Sequence, residues 1–371
     1  DMTSTVFDAA LGACAAPCST VVISNASNIS LRNLQITGGT SQSGNGADAQ
    51  GGGLEVTNAG GGSADVTLEQ VEISGNSAGY GAGFFLSNSS LTLKDSRVIN
   101  NTANNPTSNA FGGGGYVEQS GGLSISNTRF AGNTATSPGF TNRGGGLMIG
   151  CGITAQIDDS VFANNQVQGS TGTGGGISLN SCNFNDSRLV LQHSLVLSNS
   201  AALGGGLYIE ERPDPFSSIF NNLFVGNYAQ TQGGGIHVDT TGSNASGTEF
   251  FDIRNNTTAL NQAGGTGVDQ GGGIYVNQFA GSTYSGSSVT FVNQIAFGND
   301  NGDTAAATAG DNLYVDIGDG GTVTRSTAFS FANLSGDNPA DANATFGDPD
   351  FLQGFYLDQG TSPAVGNGVG A

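Results

Sequence analysis

The 371-residue chain has no tryptophan, two histidines, two methionines and nine basic residues, of which Lys94 is the single lysine. Against these stand 29 acidic residues, for a formal charge of −20 at pH 7. Phosphate binding needs clustered lysine and arginine, so neither a nucleic-acid partner nor an anionic membrane surface is expected. No stretch approaches the roughly 18 consecutive apolar residues of a membrane-spanning helix, so no spanning segment is expected. Neither histidine is near a cysteine in sequence, which argues against a Cys/His zinc site, and no Ser/His/Asp or Cys/His nucleophile set can be read. No leader-like segment stands at Asp1, so if the protein is exported the chain is read as its mature form. With 10% charged and 36% hydrophobic residues, the composition is not that of a disordered chain.

Glycine, at 63 residues, is abundant and periodic. A short glycine run precedes Leu54, Phe84, Tyr116, Leu147, Ile177, Leu207, Ile236 and Ile274, with a degenerate copy at Gly310-Asp311-Asn312-Leu313. A second mark keeps step with it: an apolar residue followed three positions later by asparagine, at Ile73–Asn76, Val98–Asn101, Phe130–Asn133, Phe162–Asn165, Val196–Asn199 and Phe224–Asn227. Thr258–Asn261 and Ala296–Asn299 are weaker copies. Alternating segments such as Leu123-Ser124-Ile125 and Leu207-Tyr208-Ile209 lie between the marks.

Each unit of about 30 residues therefore reads as three short strands and no helix. One unit cannot bury its own apolar face, so units must stack. The expected fold is all-β: a right-handed, single-stranded parallel β-helix, or solenoid, of nine to eleven coils. It forms one domain over 1–371, with an N-terminal cap region at 1–30, coils over 31–320 and a C-terminal cap at 321–371. Glycine suits sharp turns and close backbone approach. The asparagines suit a turn in the left-handed region, with each amide bonding the asparagine of the next coil as a structural ladder. Cys151 and Cys182 lie one repeat apart and are expected to bridge adjacent coils, and Cys14–Cys18 to tie a loop near the N-terminal cap, which implies an oxidising compartment.

Phe130-Ala131-Gly132-Asn133 with Gly145-Gly146-Leu147, and Phe162-Ala163-Asn164-Asn165 with Gly175-Gly176-Ile177, resemble the repeats of chlamydial polymorphic outer membrane proteins and related bacterial β-helix surface proteins. The resemblance covers roughly residues 50–300. The stretch Asp348-Pro349-Asp350-Phe351, followed by Thr361-Ser362-Pro363-Ala364, is similar to the closing segment of secreted bacterial β-helix proteins. The resemblance implies a secreted or cell-surface structural or adhesive protein, able to bind extracellular glycan or its own copies in a matrix or filament. It names no ligand.

The rival expectation is a polysaccharide-active β-helix, a lyase or glycoside hydrolase, or a carbohydrate-binding module. Asp158-Asp159 is an adjacent acidic pair at a strand-to-turn step. Its sister coils place Asp95, Asn127, His193 and Asn221 at the Asp159 position, so Asp159 and His193 read as turn residues of a polar column. No catalytic residue is assigned, and a non-enzymatic role is favoured. Arg97 and Arg129 hold equivalent outward positions, suited to an anionic sugar or simply to a soluble face.

Loops after the glycine-run strands present Phe184, Phe216, Phe279 and Tyr284, a row fit for stacking on sugar or protein unless the rings fold back onto the rod. The opposite loop set offers Phe111, Phe140 and Arg143. Asp300, Asp303 and Asp311 suit either a calcium site or a solvated acidic surface. No cofactor other than Ca²⁺ is expected.

Overall fold

The computed structural model describes residues 5–8, 18–41, 50–58, 64–119, 121–180, 187–210, 217–239, 250–264, 270–278, 288–300, 313–317 and 322–331. The chain is an all-β parallel solenoid, with no helix among the described residues. It makes about seven turns of roughly 32 residues, fewer than the nine to eleven expected. The glycine-run strands form a ten-stranded sheet, whereas the narrow sheet after the asparagines has eight strands. A third, long sheet of 17 strands completes the coil.

Most coils contribute two strands to the long sheet, as Gly121–Ser126 and Arg129–Ala131 do. Between them one residue takes a left-handed backbone: Asp95, Asn127, Asp159, His193, Asn221 and Asn255 all have φ between 44° and 57°. Short polar side chains tolerate this region best, which explains the run of Asp and Asn. The sequence reading of this column as turn residues holds. Pairing also reaches into the segments expected to be caps: Val21–Ser24 pairs with Leu54–Thr57, and Thr322–Phe331 pairs with Ser288–Phe297.

Inward residues stack in columns because the register repeats from coil to coil. Ile36, Ile73, Val98, Phe130, Phe162, Val196 and Phe224 are all fully buried. Phe130 and Phe162 stack with ring centroids 4.8 Å apart and planes 10° apart. Each such ring contributes roughly 1.5–3 kcal/mol by burial. The last two members of the column, Thr258 and Ala296, are smaller but still buried.

One register departs from the repeat, and one expectation needs correction. Tyr116 is not in the core column. Gly115 pairs with Phe84 and Tyr116 with Phe85, so Tyr116 points outward. The cause is the Phe84 ring: a Cβ on Gly115 would lie 2.1 Å from Phe84 Cζ. Against expectation, the ladder asparagines are not themselves left-handed; the residue before each one is, as in Asn100, Gly132, Asn164, Ser198 and Gly226. This turn aims the following asparagine inward.

The ladder itself is as expected. Nδ2 of Asn76 donates to Oδ1 of Asn101 at 3.0 Å, and the pattern repeats through Asn133, Asn165, Asn199 and Asn227 at 2.9–3.0 Å. It continues to Asn261 and Asn299 at 2.9 Å. The glycine runs face this corner: a Cβ on Gly146 would lie 2.5 Å from the Gly176 carbonyl oxygen and 3.1 Å from Asn165 Nδ2.

Candidate functional site

Side chains that face inward are committed to core or ladder, so candidate chemistry lies outside. The kink of the long sheet makes an open groove of about 330 Å³, lined by Asp95, Arg97, Asn127, Arg129, Asp159 and Val161 from three successive coils. Strand register places Arg97 beside Arg129 and Arg129 beside Val161. Arg97 Nη2 is held 2.7 Å from Glu72 Oε2. Asn127 Nδ2 donates to Asp95 Oδ1 at 2.7 Å. The groove is a row of guanidinium, carboxylate and amide groups repeating at the coil spacing.

At one end of this row, His193 Nδ1 lies 2.9 Å from Asp158 Oδ1. One donor atom from each of Asp158, Asp159 and His193 lies within 4.8 Å of the others. Asn221 Nδ2 lies 3.3 Å from His193 Nε2, and the Phe220 ring packs edge-on against the imidazole at 6.1 Å. The sequence pairing of Arg97 with Arg129, and of Asp159 with His193, is therefore realised in space.

A second polar region covers the outer face of the glycine-run sheet. Here the middle residues of most strands, Phe85, Met148, Ser178, Tyr208, His237 and Tyr275, are buried although they point away from the core. Tyr208, His237 and Tyr275 form a continuous ring stack, with centroids 5.0 and 4.8 Å apart. Phe111 packs on Tyr116 at 5.6 Å, and Arg143 reaches Glu210 at 2.8 Å. The Tyr116 hydroxyl donates to Glu118 at 2.5 Å. Burial raises the Glu118 pKa, opposed by that hydrogen bond, and raises those of Tyr116 and Tyr208, reinforced by the neighbouring carboxylates Glu118 and Asp239. Burial pushes His237 down to about 3, opposed by a backbone hydrogen bond with Gln232. His237 Nδ1 has no hydrogen-bond partner among the described residues.

Sequence reasoning missed this layer, because strand alternation does not say what packs over the residues that leave the core. It also missed a second ladder. Ser96, Thr128, Ser160, Ser194, Asn222 and Asn256 each follow a left-handed residue, and each accepts the backbone N–H of the ladder residue one coil earlier or, for Ser96, that of Val71. Its signal was available as a buried Ser, Thr or Asn directly after the Asp/Asn/His column, but the mixed identities hid it.

Phe184, Phe216, Phe279, Tyr284, Cys14, Cys182, Asp303 and Asp311 lie outside the described residues. Neither Cys18 nor Cys151 is a free thiol. Asp300 bridges to the narrow sheet and accepts from Gln262 Nε2 at 3.1 Å. Among the described residues no helix is long and apolar enough to cross a membrane. No protein-family model, curated protein or solved structure matches the chain.

Proposed function

We propose that the chain is a secreted or cell-surface structural and adhesive protein, whose kinked long sheet takes an extracellular glycan. The observation that carries this reading is the groove. Arg97 and Arg129, in register with Asp95, Asn127 and Asp159, offer charged and hydrogen-bonding groups at a repeat set by the coils. Such a row suits a polymer of hydroxyl- and carboxylate-bearing units better than a compact metabolite, because arginine forks pair with planar anions and amides with hydroxyls. The finer kinship with polymorphic-outer-membrane-protein repeats, self-association into a matrix or filament, calcium at Asp300, Asp303 and Asp311, and the bridges Cys14–Cys18 and Cys151–Cys182 all belong to this extracellular reading.

The test is binding to immobilised polyuronates and sulfated glycans by wild type and by Arg97→Ala/Arg129→Ala. Wild type is expected to bind a member of the panel at least tenfold more tightly than the double variant. Equal binding by the two overturns the groove as the site. Sedimentation with and without calcium tests self-association. A second reading, polysaccharide cleavage, is favoured by the convergence of Asp158, Asp159 and His193 beside the groove. Unsaturated or reducing ends released from the same panel, and lost in His193→Asn, would establish it.

A further inference from the structure

We infer that Asp158, Asp159 and His193 form a surface site for a divalent transition-metal cation of the zinc type. The inference does not rest on the glycan reading.

The first argument is donor chemistry. Two carboxylates and one imidazole are a borderline-soft set, which favours zinc, copper or nickel over calcium. A tetrahedral zinc with bonds of about 2.0–2.1 Å holds neighbouring donor atoms about 3.3 Å apart. The donor atoms here start at 2.9 Å, for the His193–Asp158 pair, and extend to no more than 4.8 Å. Adjustments of a few tenths of an ångström to about 1.5 Å would bring all three onto one ion and leave a fourth position for water.

The second argument is what the column requires and what it holds. Its backbone demand is a left-handed residue, which Asn127 and Asn221 meet in the flanking coils. Asn127 even supplies the cross-coil hydrogen bond, to Asp95. The imidazole at this position instead reaches a carboxylate of the preceding coil, Asp158 Oδ1, at 2.9 Å. The Asp158 position is equally particular: Lys94, Ser126 and Gln192 occupy it in neighbouring coils. The two carboxylates and the imidazole thus meet in one corner.

The third argument is the support around the ring. Metal-bound histidine donates its remaining N–H to an oxygen acceptor. With the metal on Nδ1, the His193 proton moves to Nε2, which faces the Asn221 amide at 3.3 Å. That amide, turned over, presents Oδ1 as the acceptor; the two orientations have the same shape. Phe220 limits the swing of the ring.

The experiment is calorimetric titration of the full chain with Zn²⁺ alone and with Ca²⁺ alone, on wild type, His193→Asn and Asp159→Asn. Both substitutions install the residue that a flanking coil already carries at that position, so unchanged thermal midpoints are expected and serve as the folding control. One Zn²⁺ per chain is expected in the micromolar range, weakened at least tenfold in each variant, with Ca²⁺ at least tenfold weaker than Zn²⁺ in wild type. Replacing Zn²⁺ with Co²⁺ should give a visible absorption band that both variants lose. Absence of saturable Zn²⁺ binding below 1 mM, or equal Zn²⁺ affinity in wild type and His193→Asn, overturns the site.

Discussion

The two polar ladders run up neighbouring corners of the same solenoid and are wired differently. In the asparagine ladder each amide spans three coils. Asn133 Nδ2 donates forward to Asn165 and back to the Val98 carbonyl, while its Oδ1 accepts both Nδ2 and backbone N–H of Asn101. In the serine-rich ladder, Ser160 Oγ accepts from the Thr128 N–H but donates to Asp158 of its own coil. One side chain staples coils in both directions; the other closes a local turn and reaches one neighbour. Where that second corner switches to Asn222 and Asn256, the three-coil wiring returns: Asn222 Nδ2 bonds Asn256 and the Leu191 carbonyl. The geometry of the corner thus accepts either residue, and the side chain's donor count decides how many coils it joins.

The sharpest way to break the comparison is to remove one member of each ladder. Asn133→Ala removes four buried hydrogen bonds and is expected to cost about 3–5 kcal/mol in denaturant unfolding. A loss under about 1 kcal/mol would mean that water replaces the amide.

Acid provides the next largest effect, and it separates ladders from titratable parts, since neither ladder carries an ionisable group. The pKa of His237 is lowered to about 3 in the folded chain, against about 6.5 unfolded. The unfolded state therefore binds the extra proton between these values. The neutral ring's contribution is fully present above about pH 6.5 and is lost as pH falls toward 3, by up to about 1.4 kcal/mol per pH unit. His237→Phe should flatten that slope, whereas Asn133→Ala should displace the whole curve by a constant amount. Unfolding midpoints measured from pH 7 to pH 4 distinguish the two.

Ser160→Ala removes one acceptor and is expected to cost about 1–2 kcal/mol. The smallest effect, and the one that most sharpens the comparison, is Ser160→Asn. If donor count is what differs between the corners, this variant should be within about 1 kcal/mol of wild type in thermal unfolding. A loss as large as that of Ser160→Ala would show that the serine corner is too tight for an amide.

The coil repeat was legible because its two marks are single-letter columns: glycine, where no Cβ fits, and asparagine, where an amide of that length is needed. Where several residue types satisfy the same demand, as Ser, Thr and Asn do after the kink, the column disappears from the sequence. The Gly115 register was hidden because a run of four glycines is ambiguous until Phe84 claims the space opposite one of them. The groove was partly legible, since Arg97 with Arg129 and Asp159 with His193 follow from the repeat alone. The outer aromatic layer was not, because strand alternation says which residues leave the core but not what packs over them.

The asparagine ladder also has a sense of direction. Peptide dipoles along a strand largely cancel, but the ladder carbonyls all turn toward the N-terminal neighbour, from Asn76, which accepts the Gly39 N–H, through Asn299. Over the described coils the ladder is thus a one-way array of dipoles with unlike ends. Copies joined end to end in continuation of this ladder would have to meet head to tail, because reversing one would set like dipole ends against each other. Such a junction is heterologous, and when its rotation does not close a ring it has no built-in stopping length.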